Sequence, residues 1–393
     1  MRYKGIILSF ILAGMISTGC TGSMEMKTSK EREEESTKGN PRIRIGVFQP
    51  LTGAAAAGGR MTLEGIQLAN HLFPEVLGKR VELVVIDNQS DRTEAVNAVR
   101  RLIQEEKVKA IIGSYGSSLS IAAGEIIKKE KMPAVGCSPT NPMVTLNNDY
   151  YFRVCFADPF QGTVMANYAV RDLGAQKAII VQDEVQEYSL GLSRYFMEAF
   201  QESTGNEDSI LGVYNYHSGQ QDFSNILGEI KKNSGDVVFA PGNYIESALL
   251  IKQAREMGIQ IPFLGGDTWE APDFREIGGE AVEGVIFSSH FSEEAQVTRR
   301  TQLFLEEYEK KHQREANAFG ALGFDAYLVL LDAIKRAGTD DSEKIRGALA
   351  ETENFEGATG KITLDKNGDA QKSAVIMKVE NKKLSYVTFV EAE

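Results

Sequence analysis

From Arg42 onward, short apolar runs alternate with stretches whose apolar residues recur at helical spacing. The runs RIRIGVF and VELVVID are rich in β-branched residues and predict strands, whereas DRTEAVNAVRRLIQEE places Val96, Val99 and Ile103 on one face of a helix. The alternation continues through KAIIG and MPAVGC and restarts at KAIIVQD. This spacing predicts an α/β fold, and the restart divides it into two lobes, each with a doubly wound parallel sheet.

The first forty residues follow a different pattern. Arg2 and Lys4 precede an apolar run that ends in Gly19-Cys20, which is typical of an exported protein's signal peptide. Small residues before a cysteine resemble a lipobox, so residues 1–20 are predicted to be a lipoprotein signal peptide with Cys20 as the lipidated residue. An ordinary secretory signal cleaved nearby is the alternative. The polar stretch 21–41 lacks apolar periodicity and predicts a flexible tether.

Charge and cysteine content narrow the classes of partner. Without Arg2 and Lys4 the chain has 41 basic and 55 acidic residues, a net charge near −14, which disfavours binding to nucleic acid or anionic lipid. Beyond Cys20 only Cys137 and Cys155 remain, too few for a zinc set or a disulfide framework. We expect both to be free and buried, although an exported chain could pair them.

No motif supports catalysis, a metal or a cofactor. The run GAAAAGG follows a strand but lacks the Gly-Lys-Ser/Thr and G-x-G-x-x-G patterns of nucleotide loops. GCSPT differs from a nucleophile elbow, since Pro139 and Pro142 oppose the helix that an elbow requires. DKNGD has Ala370 and Ile376 where a calcium loop needs Gly and Glu, and therefore predicts a hairpin turn. The chain is predicted not to be an enzyme.

Polar residues follow most of the predicted strands, and the carboxyl ends of parallel strands are where open sheets bind ligands. Hydroxyl groups and free helix N–H groups at Ser117 and Thr140 suit a carboxylate, whereas Asp267 suits an ammonium. Together they predict a site for an α-amino acid zwitterion. Further polar or aromatic residues also come shortly after predicted strands: Asp158, Tyr188, Tyr244 and Trp269.

Over residues 42–393 the chain resembles the leucine/isoleucine/valine-binding protein family, the type I periplasmic solute-binding proteins of branched-chain amino acid ABC transporters. The motifs that carry the resemblance are IGVFQPLTG, VVIDNQSD, IIGSYGSS, SPTNP, YFRVCFADPFQG, EYSLGL and GATGKITLDKNGD.

By this resemblance Ser117 and Thr140 hold the ligand carboxylate, while Ser138 (through its carbonyl) and Asp267 hold the ammonium. Asp158 lies at the first hinge, and Tyr188 and Tyr244 face the ligand from the second lobe. The family's usual covering aromatic corresponds to Gly58, which shifts the expected side-chain contacts to other aromatic residues: Trp269, Tyr244 or Phe319.

The resemblance also implies three hinge crossovers, near Ala157-Asp158, His290 and Phe355. The N-terminal lobe would then comprise residues 42–157 plus 290–354, and the C-terminal lobe residues 158–289 plus 355–393.

The implied function is that of a monomeric, exported lipoprotein of the periplasm or cell surface. It captures an aliphatic or branched-chain amino acid and delivers it to the permease and ATPase of an ABC transporter. A ligand sensor of the same fold is an alternative; it would need a separate signalling partner, because the sequence shows no kinase-like segment. An amide, urea or an aromatic acid remain alternative ligands.

Overall fold

A computed structural model describes residues 41–295 and 298–392. The predicted signal peptide, Cys20 and all of the predicted tether except Pro41 lie outside the described residues.

The first sheet has six strands in the order β2-β3-β1-β4-β5-β6, all parallel except β2, which runs antiparallel to β3. Its strands are β1 (Arg42–Gln49), β2 (Glu75–Val76), β3 (Lys79–Asp87), β4 (Ala110–Gly113), β5 (Ala134–Gly136) and β6 (Tyr151–Arg153). The intervening helices are α1 (Ala56–Leu72), α2 (Arg92–Gln104) and α3 (Ser117–Lys129). Every strand and helix predicted from this half of the alternation is present.

The second sheet has seven strands in the order β16-β15-β11-β10-β9-β7-β8. Its strands are β7 (Ala178–Asp183), β8 (Ile210–Tyr216), β9 (Val237–Phe239), β10 (Phe263–Gly265), β11 (Ile286–Ser289), β15 (Ala374–Glu380) and β16 (Lys383–Val390). The strands β7 to β11 are parallel, and β15 and β16 add an antiparallel edge. The helices of this part are α4 (Asp158–Arg171), α5 (Glu187–Thr204), α6 (Ser224–Lys232), α7 (Tyr244–Glu256) and α8 (Pro272–Gly278).

The remaining elements pack with the first sheet. They are α9 (Arg299–His312), α10 (Ala318–Ala337), α11 (Ser342–Ala350), β12 (Phe355–Gly357), β13 (Gly360–Leu364) and β14 (Ala370–Gln371). The last three form a small antiparallel sheet whose Ile362 and Leu364 share a core with Ile45 of β1. Asp325 of α10 fixes this sheet by accepting hydrogen bonds from the N–H groups of Ala358 and Thr359.

This packing changes the expected lobe boundary. Residues 355–371 belong with the first sheet, and the chain re-enters the second sheet at Ala374. We therefore propose that the third crossover lies near Lys372 and not near Phe355. The other two crossovers, near Ala157-Asp158 and near His290, stay predictions; β6 precedes the first, and β11 ends immediately before His290.

The core of the first lobe depends on a close approach of α1 and α10. A Cβ atom at Gly65 would overlap the backbone of Gly320, and one at Gly323 would overlap the carbonyl of Thr62. Glycine is therefore required where the two helices cross. Cys137 and Cys155 are both free and buried, as expected. Within the described part of the chain, no helix combines the length and apolarity needed to cross a membrane.

Candidate ligand-binding site

A cavity of about 860 Å³, including its open mouth, lies where the carboxyl ends of strands from both sheets face each other. Both lobes contribute to its wall. The first lobe provides Ala54, Ala55, Ser90, Arg92, Tyr115, Gly116, Ser117, Ser118, Leu119 and Ser138. The second lobe provides Asp183, Gln186, Tyr188, Ser218, Asn243, Glu246, Asp267 and Thr268. Four of the predicted residues, Ser117, Ser138, Tyr188 and Asp267, thus line one cavity, the arrangement expected of ligand sites at strand ends.

Asp267 begins a 3-10 turn directly after β10 and is almost fully buried. Its Oδ1 accepts hydrogen bonds from the Tyr188 hydroxyl at 2.8 Å and from Gln161 Nε2 at 3.1 Å. Its Oδ2 lies 3.1 Å from His290 Nε2. A carboxylate only accepts, so that histidine nitrogen carries the proton.

No lysine or arginine of the described chain forms an ion pair with Asp267. His290 is its only ion-pair neighbour there, and burial lowers the pKa of that histidine, against the opposing effect of Asp267. The histidine is therefore a neutral donor at pH 7. Among the described residues Asp267 thus has no cationic partner, and a buried carboxylate without one is costly unless a ligand supplies it.

Across the cavity, the first turn of α3 presents hydroxyl and N–H groups. The helix begins at Ser117, and its first N–H groups have no intrahelical acceptors. The Ser117 hydroxyl accepts from the N–H of Asn141 at 3.1 Å, which leaves its own proton free to donate. The Ser138 hydroxyl donates to the carbonyl of Tyr115 at 3.0 Å. A helix N-terminus with a free hydroxyl favours an anionic group such as a carboxylate.

The turn that carries Ser138 and Thr140 is held by Arg153, a residue that sequence reasoning missed. Arg153 ends β6, and its side chain is fully buried. Its guanidinium donates to the carbonyls of Pro139 at 2.7 Å and Asn141 at 2.9 Å, and it pairs with Asp369 at 2.6 Å. A charged residue inside the apolar run YFRVCF is the signal that could have identified it, since arginine is rarely buried without partners.

Thr140 lies in this turn and Asp158 lies beside it, and neither is part of the cavity wall. The N–H of Asp158 donates to the carbonyl of Thr140 at 2.9 Å. The side-chain oxygens of both residues are buried and have no hydrogen-bond partner among the residues at 41–295 and 298–392. Burial raises the pKa of Asp158 to about 8, and the nearby charge of Asp267 adds to that effect. Asp158 is therefore largely protonated at neutral pH and does not compete with Asp267 for a cation.

The structure places Trp269 away from the cavity. The 3-10 turn that directs Asp267 into the cavity turns the Trp269 side chain into the core of the second lobe, where it stacks on Phe274 with ring centroids 4.7 Å apart. The aromatic residue in the cavity wall near Gly58 is instead Tyr115. A Cβ atom at Gly58 would overlap its ring, and the ring meets Phe319 edge-on at 4.9 Å. Tyr115 thus occupies the space that the small residue at Gly58 leaves.

Direct hydrogen bonds join the two lobes around the cavity. The Tyr244 hydroxyl donates to the carbonyl of Ala54 at 2.8 Å, and Ser118 donates to Gln186 Oε1 at 2.8 Å. Arg92 pairs with Glu187 at 2.7 Å. Tyr244 therefore connects the lobes next to the cavity wall. With these contacts in place the lobes are closed around the site, which strengthens each charged interaction inside it.

Residues 42–383 match the sequence profile of the periplasmic binding protein family, and the chain belongs to that family. It is similar to a leucine binding protein, LivK, from Thermotoga maritima, with 44% identity, a TM-score of 0.86, and coverage of 89% of this chain and 99% of that chain. It is also similar to the branched-chain amino acid transporter substrate binding protein LivJ from Streptococcus pneumoniae, solved in complex with isoleucine. That match has 31% identity and a TM-score of 0.83, and it covers 89% of this chain and 99% of that chain.

Among curated sequences, a Leu/Ile/Val-binding protein homolog from Brucella melitensis is 27% identical over 335 residues, which cover 83% of this chain and 88% of the relative. The predicted family and the two-lobe α/β fold are therefore confirmed. The chain is a solute-binding protein and not an enzyme, and its family implies an exported, periplasmic location.

Proposed function

We propose that the protein captures a free α-amino acid between its lobes, with an aliphatic or branched side chain, and delivers it to the permease and ATPase of an ABC transporter. One observation carries this proposal: Asp267 is a buried carboxylate to which no described residue supplies a cation, and it shares a cavity with the hydroxyl and N–H groups of Ser117. The ammonium group of an amino acid would pair with Asp267, and its carboxylate would accept hydrogen bonds at the helix N-terminus on the other side of the cavity.

The relatives support the amino acid as the ligand class, since one is described as a leucine binding protein and another was solved with isoleucine. Tyr115 and Leu119 provide an apolar part of the cavity wall against which an aliphatic side chain can pack. We further propose that the protein acts as a monomer, because one chain contributes both halves of the site.

The first test is a thermal-shift comparison of L-leucine and L-isoleucine with N-acetyl-L-leucine, benzoate and urea. A ligand at one hundred times its dissociation constant stabilises the folded state by about 2.7 kcal/mol. We expect the free amino acids to raise the melting temperature by roughly 3 °C or more. N-acetyl-L-leucine keeps the carboxylate and the side chain but lacks the ammonium, so it should have little effect. A shift with benzoate or urea and none with any amino acid would contradict the proposal.

We also propose that the mature protein is anchored to the membrane by lipid on Cys20, because the apolar segment before it ends in Gly19-Cys20. Replacing Cys20 by Ala should leave the chain unprocessed or release it from the membrane fraction, since the acceptor thiol is lost. Fractionation and intact-mass measurement of wild type and variant check this. A wild-type protein with a different mature N-terminus and no diacylglyceryl mass would exclude the anchor.

A further inference from the structure

The cavity wall contains a second polar group that the head of an α-amino acid does not use. Its members come from three elements of the second lobe: Asp183 ends β7, Ser218 follows β8, and Glu246 lies in the first turn of α7. All three line the same cavity as Asp267, and within the described chain none of them is hydrogen-bonded to it. We call Asp183, Ser218 and Glu246 the distal group.

The distal group is only partly satisfied by the protein. Asp183 accepts hydrogen bonds from the Ser218 hydroxyl and from the N–H of Val185, the latter at 2.9 Å. Glu246 Oε1 accepts from the N–H of Gly219 at 2.8 Å. Glu246 Oε2, however, has no hydrogen-bond partner in the part of the chain that the structure describes, although the residue is only 4% exposed. A buried carboxyl oxygen without a donor is destabilising unless something in the cavity provides one.

The charges of the distal group are also unbalanced. Among the described residues no lysine, arginine or histidine forms an ion pair with Asp183 or Glu246, and Arg92 of the cavity wall is paired with Glu187 instead. Burial raises the pKa of Glu246, and the nearby charge of Asp183 adds to that effect. Burial is the main cause that raises the pKa of Tyr216, and the nearby charges of Glu246 and Asp183 add to it. Its buried hydroxyl also has no hydrogen-bond partner among the described residues.

We propose that Asp183 and Glu246 form a subsite for a cationic group at the end of the ligand side chain, so that the cavity accepts basic α-amino acids alongside aliphatic ones. The inference rests on the proposed function, because Asp267 must hold the α-ammonium for the side chain to extend toward the distal group. An ammonium there gives Glu246 Oε2 a charge-assisted hydrogen bond and balances two carboxyl groups. An aliphatic side chain leaves that oxygen unpaired.

The test compares L-lysine with L-norleucine, which has the same four-carbon side chain without the terminal ammonium. Calorimetric titration of the full-length protein gives both dissociation constants. We expect lysine to bind at least about thirtyfold more tightly than norleucine, the lower limit for a desolvated charge pair. Tighter or equal binding of norleucine would overturn the subsite while leaving the proposed function intact. Failure of lysine, norleucine and leucine alike would overturn both.

Variants that remove one charge test whether the preference for lysine depends on the distal group. Glu246→Gln keeps an acceptor for the N–H of Gly219 and removes the charge, so the preference for lysine should fall about tenfold or more. Glu256→Gln makes the same change at an exposed position of the same helix and should keep the wild-type preference. Asp183→Asn provides the second measurement if Glu246→Gln does not fold. A lysine preference that persists in the folded variants would place the cation elsewhere and overturn the assignment.

Discussion

Replacing Asp267 by Ala is expected to weaken amino-acid binding by about 2–5 kcal/mol, which is at least a thirtyfold increase in the dissociation constant. The ligand ammonium would be buried on lobe closure without a negative partner. Asp158 does not substitute for Asp267, because Asp158 lies outside the cavity wall and its pKa is raised to about 8, mainly by burial. Calorimetric titration with L-leucine measures the loss.

Asp267→Asn is the matched variant for this experiment. The amide oxygen can still accept hydrogen bonds from Tyr188 and Gln161. The amide nitrogen would face His290 Nε2, so the neutral histidine must carry its proton on Nδ1 to accept from it. We expect its affinity loss to approach that of the alanine variant. Binding close to wild type in a folded Asn variant would mean that hydrogen bonding and not charge holds the ammonium, or that the ligand has no amine.

The position of the site could be predicted from the sequence because it depends on a local rule. Ser117 and Asp267 each follow a strand of a parallel sheet, and such sheets bind ligands outside the carboxyl ends of their strands. The direction of each side chain could not be predicted in the same way. Asp267 and Trp269 are two residues apart in one 3-10 turn, yet one faces the cavity and the other enters the core. That difference depends on turn geometry, which polarity patterns do not contain.

The assignment of residues 355–371 to a lobe shows a second limit of prediction from the sequence. The parallel strands were predictable from periodicity, but β12 to β14 are two to five residues long and carry little pattern of their own. Their place with the first lobe depends on contacts distant in sequence, such as Asp325 with the N–H groups of Ala358 and Thr359. Tyr115 depends on a distant contact as well, because the free space over Gly58 decides where its ring lies.

Arg153 stabilises the fold and also holds the turn beside the ligand site, so its replacement should lower both stability and ligand affinity. The Arg153→Met variant retains most of the side-chain volume but removes every donor. The carbonyls of Pro139 and Asn141 and the carboxylate of Asp369 then lose their shared partner. Removing one member of a buried ion pair typically destabilises a protein by about 3–5 kcal/mol. We expect a loss of this size in urea unfolding.

The same variant should also bind L-leucine more weakly, because the turn released by the substitution carries Ser138 and lies against Ser117 through the N–H of Asn141. Arg194→Met is the control: Arg194 is exposed and pairs with Glu198 on the surface, so its change should stay within about 0.5 kcal/mol. A destabilised Arg153→Met protein with wild-type affinity would show that the two prolines, Pro139 and Pro142, suffice to shape the turn. Unchanged stability would mean that the buried guanidinium contributes no net interaction, and the role assigned to Arg153 would then be wrong.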